Sequence, residues 1–222
     1  MTDGRYAEVM GEPDDHPQKR VFWVRHGETA MNKQNLMRGW DNPPLNDEGR
    51  ADARAVAEAL QAIPLDVIIC SDLLRAVETA DAIRELQPKK IPHHAVGLLR
   101  TIDVGQWTGK PLTQIEPKME ALQKTWQTRP DAECPGGESW TSFQNRQVMA
   151  WDLILRHPAE NICVVAHLRN SVWSLGYALN DMKRPDIPQL DRLTQKPGRF
   201  SVFTYSTRQG LKIEDVNTLE TD

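Results

Sequence analysis

Two histidines in this chain each follow directly on a short apolar run. His26 comes after Arg20-Val21-Phe22-Trp23-Val24-Arg25, and His167 after Asn161-Ile162-Cys163-Val164-Val165-Ala166. Arg25 adjoins the first histidine, and Arg75 lies near the start of an amphipathic segment that follows a third apolar run, Asp66 to Cys70. Two imidazoles and two guanidiniums in matched places suit a phosphoryl dianion. Guanidinium forks hold its oxygens, a helix start adds N–H donors, and one imidazole can attack phosphorus in line. A single strand-end histidine would read as a hydrogen-bonded structural residue; the matched pair is what points to chemistry.

These groups meet only if the apolar runs before them are neighbouring strands ending at one edge. Arg20 to Val24 is β-branched and aromatic and predicts a buried strand running into a tight loop at Arg25-His26-Gly27. From a cap at Asn46, the spacing of Val56, Ala59, Leu60 and Ile63 predicts a helix that Pro64 stops. Asp66 to Cys70 reads as a second strand, Ser71 as an N-cap, and Leu73, Ala76, Val77, Ala80 and Ile83 as the apolar stripe of the next helix. Such alternation implies an α/β fold with a mostly parallel sheet, in which ligands gather beyond the carboxyl ends of the strands.

Further along, Ala95 to Leu99 and Asn161 to Ala166 read as strands, and Val172, Leu175 and Leu179 as a helix stripe. Phe200 to Tyr205, a turn at Arg208-Gln209-Gly210, and Leu211 to Val216 predict a closing hairpin at the sheet edge. Between the halves, Lys110 to Gly137 is interrupted by prolines around one amphipathic segment, Ile115 to Gln127, and is expected to lie over the sheet as a lid. Trp140, Phe143, Val148, Trp151 and Ile154 mark a long helix after it. Residues 1–18 are expected to be a polar mobile arm, and 19–222 a single domain with a lid insertion at about 107–137.

Composition bounds the partners. A chain of 222 residues, 39% of them hydrophobic, buries enough surface to need no metal or disulfide staple. With 27 basic against 31 acidic residues, the net charge of −4 exerts no long-range pull on nucleic acid or an anionic membrane. Cys70, Cys134 and Cys163 lack metal-like spacing and read as reduced core residues. No secretory apolar region or run long enough for a membrane span is seen, so a cytoplasmic location is expected. His93-His94 has no carboxylate or cysteine spaced to complete a metal site and reads as a surface turn. Trp107, Trp126, Trp140 and Trp151 read as core rather than as walls of a substrate pocket.

Arg25-His26-Gly27-Glu28-Thr29, with Asn32 six residues after the histidine, resembles the opening motif of the histidine phosphatase superfamily, which includes phosphoglycerate mutases. Gly39 with Pro44-Leu45 and Gly49 resembles the segment that follows it, and Ser71-Asp72-Leu73-Leu74-Arg75-Ala76 with Thr79-Ala80 its arginine helix. Pro135-Gly136-Gly137-Glu138-Ser139 with Arg146 resembles its late loop and helix, and Val164-Val165-Ala166-His167 its second histidine strand. The resemblance spans residues 20 to about 217. It implies a phosphoglycerate mutase-like three-layer α/β/α sandwich that acts on a small phosphorylated substrate without a metal or other cofactor. His26 would form a phosphohistidine, Arg25, Arg75 and Asn32 would hold the phosphoryl oxygens, and His167 would hydrogen-bond the growing charge.

Two positions depart from that pattern. In Leu99-Arg100-Thr101-Ile102-Asp103-Val104-Gly105, threonine stands where the family places a glutamate that protonates the leaving oxygen. A hydroxyl is no general acid near neutral pH, and such a loss commonly costs roughly 10²–10⁴ in rate. Either the donor is relocated, with Glu138 preferred and Asp103 and Glu28 as further candidates, or the leaving group needs little protonation, or the pocket binds phosphate without turnover. Leu168-Arg169-Asn170 replaces the usual glycine pair after His167, and Arg169 is either an added anion contact or a solvated helix-start residue. The expected activity is hydrolysis of small phosphomonoesters. A mutase and a weak phospho-ligand or protein-binding module are the alternatives, and the sequence does not set the oligomeric state.

Overall fold

The computed structural model describes residues 18–190 and 193–218. A six-stranded sheet forms the centre: β1 (Lys19–Arg25), β2 (Val67–Ser71), β3 (His93–Val96), β4 (Asn161–Ala166), β5 (Phe200–Ser206) and β6 (Gly210–Thr218), in the order β3-β2-β4-β1-β5-β6. The first four in that order run parallel, while β5 is antiparallel to β1 and β6 to β5. The helices are α1 (Ala30–Lys33), α2 (Asp47–Leu60), α3 (Leu74–Glu85), α4 (Leu112–Trp126), α5 (Trp140–Arg156), α6 (Leu168–Leu179) and α7 (Ile187–Leu190). The α/β architecture and the edge hairpin expected from the sequence are both present. The expected arm at 1–18 lies outside the described residues except for Gln18.

Strand alternation explains the layers. On β1, Val21 and Trp23 point into a core shared with Trp151 of α5 and Trp173 of α6, while Phe22 and Val24 point into another shared with Leu60 of α2 and Ile83 of α3. Both faces are therefore covered, and strands buried on both faces are apolar throughout. Trp107, Trp126, Trp140 and Trp151 all belong to the first core, as expected. The three cysteines are buried and free. Among the described residues no helix is long and apolar enough to cross a membrane.

Three local expectations are corrected. Ser71 is the last residue of β2 rather than a helix cap; α3 starts three residues later, at Leu74, with no side-chain cap. The strand expected at Ala95 to Leu99 instead spans His93–Val96 and passes into a 3-10 turn at Gly97–Leu99. His93 and His94 thus lie on an edge strand and not in a turn, with His93 Nε2 3.0 Å from Cys70 Sγ, because β3 pairs in parallel with β2 there.

Glycine is required where β1 meets α2. A Cβ on Gly27 would lie 2.2 Å from the carbonyl oxygen of Gly49, and one on Gly49 1.9 Å from that of Glu28. The loop carrying His26 is pressed directly onto the first turn of α2, which Asn46 caps by accepting from the Gly49 N–H at 2.8 Å.

Candidate active site

Sheet register brings the two histidines together. Arg25 pairs with Ala166 across the parallel β1 and β4 strands, and the His26 N–H donates to the Ala166 carbonyl at 3.0 Å. The next residue of β4's chain is His167, so both imidazoles leave adjacent strand ends side by side. Their ring centroids are 5.0 Å apart and the planes meet at 64°. Both residues are buried.

Hydrogen bonds assign the ring nitrogens. His26 Nδ1 lies 2.6 Å from the Gly27 carbonyl oxygen, which can only accept, so Nδ1 carries the proton and Nε2 keeps its lone pair. His167 Nε2 is 2.9 Å from Ser71 Oγ, which itself accepts from the Leu73 N–H at 3.3 Å. The serine proton is then free to be donated to Nε2, and the ring hydrogen of His167 falls on Nδ1, a buried atom with no partner among the described residues. Burial pushes the His26 pKa well below the usual histidine value, and Arg75 and Arg25 push it the same way. Burial and Arg75 do the same to His167. Both rings are held neutral, the form in which a nitrogen can attack.

That neutrality has a cost at low pH. Both imidazoles bind protons more readily in the unfolded chain, so the stability they permit is fully present above the unfolded value of about 6.5 and is lost as pH falls below it. Two such sites withhold up to two protons, a slope of about 2.7 kcal/mol per pH unit. Urea unfolding at pH 7.5 and pH 5.5 should show a lower midpoint at pH 5.5; equal midpoints would contradict the buried neutral pair.

Three guanidiniums surround the rings. Arg25, from the end of β1, donates through Nη1 to the Gln195 carbonyl. Arg75, in the first turn of α3, donates to the carbonyls of Asp41 at 2.7 Å and Gly39 at 3.1 Å. Arg38, from the loop before α2, was not singled out in the sequence. Burial, with Arg38 adding to it, lowers both Arg25 and Arg75 to about 10, still charged at neutral pH. All three line one cavity of about 400 Å³ together with His26 and His167. Leu168 and Arg169, at the start of α6, line it as well, so the arginine expected as a further anion contact does reach this space.

Other expected residues are placed elsewhere. Asn32 does not line the cavity; its Oδ1 accepts from the Thr29 N–H at 3.1 Å and the Thr29 hydroxyl at 2.8 Å, closing a capping box on α1. Glu138, expected as the relocated acid, is clasped by Arg146, which donates from Nε at 3.1 Å and Nη2 at 2.8 Å. It also accepts from the Asp103 N–H at 3.2 Å. Asp103 accepts from the Gly105 N–H, and Glu28 from Asn46 Nδ2. None of these three carboxylates lines the cavity, whereas Thr101 does. Arg146 also donates to the carbonyls of Leu98, Arg100 and Thr101, so the Glu138–Arg146 pair is a brace for the loop that presents residue 101.

The roof of the cavity comes from the segment expected as a lid. Leu112, Glu116, Met119, Glu120 and Gln123 of α4 line it, a set whose spacing of three and four makes one helical face. Lys110, Lys118, Lys124 and Arg129, the basic residues of that segment, do not.

Paired neutral imidazoles beside three guanidiniums at parallel strand ends suit a phosphoryl group, and the chain belongs to the histidine phosphatase superfamily (branch 1), whose model matches residues 21–218. It is 30% identical over 215 residues to the 2,3-bisphosphoglycerate-dependent phosphoglycerate mutase of Methylobacterium sp. (strain 4-46), across 92% of this chain and 99% of that one. It is 28% identical over 152 residues to the adenosylcobalamin/alpha-ribazole phosphatase of Salmonella typhimurium, across 67% of this chain and 73% of that one. The crystal structure of the alpha-ribazole phosphatase from Shigella flexneri superimposes with a TM-score of 0.76 at 21% identity, covering 91% of this chain and 98% of that one. The fold is thus phosphoglycerate mutase-like, and the family's members here include both phosphatases and mutases.

Proposed function

We propose that this chain is a metal-independent phosphomonoesterase that passes the phosphoryl group through His26. The observation that carries the reading is the pair of neutral imidazoles, 5.0 Å apart, facing one cavity with Arg25, Arg38 and Arg75. The guanidiniums neutralise the phosphoryl oxygens. The His26 Nε2 lone pair forms the N–P bond as the P–O ester bond breaks and its electron pair leaves with the alcohol oxygen. The His167 Nδ1–H, unpartnered in the protein, donates to a phosphoryl oxygen as charge grows there. Water then attacks phosphorus, the N–P bond breaks with its electron pair returning to His26 Nε2, and the proton that water gives up goes by way of solvent to the departed alcohol oxygen, so that inorganic phosphate and the free alcohol leave.

Thr101 bears on the leaving group. With no acid at residue 101, Glu138, Asp103 and Glu28 bound away from the cavity, and the cavity's own carboxylates, Glu116 and Glu120, solvent-exposed on α4, esters of acidic alcohols, such as aryl phosphates, suit this site best. Thr101→Glu places a carboxyl on a loop whose carbonyl is already fixed by Trp40 and Arg146. It should raise kcat for alkyl phosphates by roughly 10²-fold and leave aryl phosphates nearly unchanged. An unchanged or lower alkyl rate would show that the proton reaches the leaving oxygen by another route.

The similarity to a mutase supports a second reading. A mutase must hold a second anionic group, and the four basic residues of the lid segment do not line the cavity. The test supplies phenyl phosphate in one assay and 3-phosphoglycerate with 2,3-bisphosphoglycerate in another. Phosphate release from phenyl phosphate with little isomer interconversion supports the hydrolase. Interconversion faster than phosphate release supports the mutase, and binding of phosphate with neither reaction supports a silent module.

A further inference from the structure

The cavity is charged asymmetrically. Its cations, Arg25, Arg38, Arg75 and Arg169, come from the end of β1, the loop before α2 and the first turns of α3 and α6, none of them from α4. Its two carboxylates, Glu116 and Glu120, both come from α4. They stand four residues apart on the same helical face, an arrangement that destabilises a helix by like-charge repulsion. Neither makes an ion pair or hydrogen bond among the described residues. Beside them on that face are Leu112 and Met119, and Met37 and Leu168 also line the cavity. A phosphoryl group held by the guanidiniums and by the unpartnered His167 Nδ1 directs the rest of its ester away from the strand ends, towards α4.

We propose that this face of α4 selects phosphomonoesters whose alcohol part carries a positive charge on an apolar body, and turns away those bearing a second anionic group. The inference rests on the phosphatase reading above and adds the substrate class. Leu112, Met119, Met37 and Leu168 remove an apolar body from water, and the two carboxylates stabilise an ammonium placed between them. The same carboxylates repel a carboxylate or a second phosphate. Both carboxylates are solvent-exposed, and across several ångströms each is worth roughly a few-fold for the ammonium and a few-fold against the carboxylate, which multiply in the ratio of the two.

Two aryl phosphates of matched shape test this: 4-(aminomethyl)phenyl phosphate and 4-carboxyphenyl phosphate, with phenyl phosphate as neutral reference. The wild-type kcat/KM ratio of ammonium to carboxylate ester should be on the order of 10²-fold, carried mainly by KM. In Glu116→Gln/Glu120→Gln the ratio should fall at least about tenfold, and in Glu116→Lys/Glu120→Lys it should invert. Lys118→Gln, off the cavity, should leave the ratio where it was. A wild-type ratio near one, or a ratio unmoved by either double variant, overturns the proposal. Binding of the corresponding aryl phosphonates, which need no turnover, gives the same ratio calorimetrically. If phenyl phosphate is not hydrolysed at all, the phosphatase reading fails while the phosphonate ratio still decides this one.

Discussion

His26→Ala should reduce phosphate release from phenyl phosphate by at least about 10⁴-fold, to the level of the reaction without enzyme assistance at the nitrogen. The alanine leaves Arg25, Arg38, Arg75 and His167 at the cavity, so binding should persist and KM change little while kcat collapses. His167 is poorly placed to take over, because its Nε2 is engaged with Ser71 and its ring hydrogen then occupies Nδ1. The variant should also fold, since a ring already neutral and buried makes no ion pair whose loss would strand a charge. Retention of more than about a hundredth of wild-type kcat would mean that another group attacks phosphorus.

Arg75→Met should lower kcat/KM by roughly 10²–10³-fold, the loss typical of one charged donor to a transition-state oxygen. Methionine keeps most of the side-chain volume, which matters because Arg75 is only 1% exposed. A second effect separates electrostatics from packing. Arg75 is the largest charge contribution, after burial, that holds His26 and His167 below their usual pKa, so its removal should move both titrations to higher pH. NMR titration of the two imidazoles reads this directly. The gain in melting temperature that inorganic phosphate gives the wild type should shrink in the variant, because ligand stabilisation follows affinity. A kcat/KM within threefold of wild type, or imidazole titrations that do not move, would remove Arg75 from the site.

The parts of this site that could be read from the chain are those fixed by strand periodicity. Apolar runs such as Asn161 to Ala166 admit one extended reading, and parallel pairing then places His26 and His167 at neighbouring ends. The helix of the Ile115 to Gln127 segment was legible from its spacing of three and four, although it begins at Leu112 and accommodates Pro117. Residues whose role depends on a hydrogen-bond choice were not legible. Asn32 stands three residues after Thr29, a spacing that also satisfies a helix cap, and the cap prevails. Glu138 was a plausible acid until Arg146, eight residues on, returned along α5 to clasp it. Ser71 looks like a cap in sequence, yet one further residue of strand carries its hydroxyl to His167. Arg38 lies in an irregular loop with no periodicity to aim it; Asn35, at φ +52, and Gly39, at φ +49, mark tight turns on either side of it. Nothing in the spacing of Glu116 and Glu120 marks them in the sequence, and only the fold shows which face of the helix meets the cavity.

The central claim is that His26 carries the phosphoryl group, and trapping that group tests it most directly. Wild-type protein mixed rapidly with phenyl phosphate, quenched in alkali to preserve phosphoramidate and digested, should yield one peptide bearing a phosphoryl group on His26 at its ring Nε2. His26→Ala treated alike should yield none. A label on His167, on a serine or on any residue that persists in His26→Ala, or turnover with no label during the burst, would contradict the account.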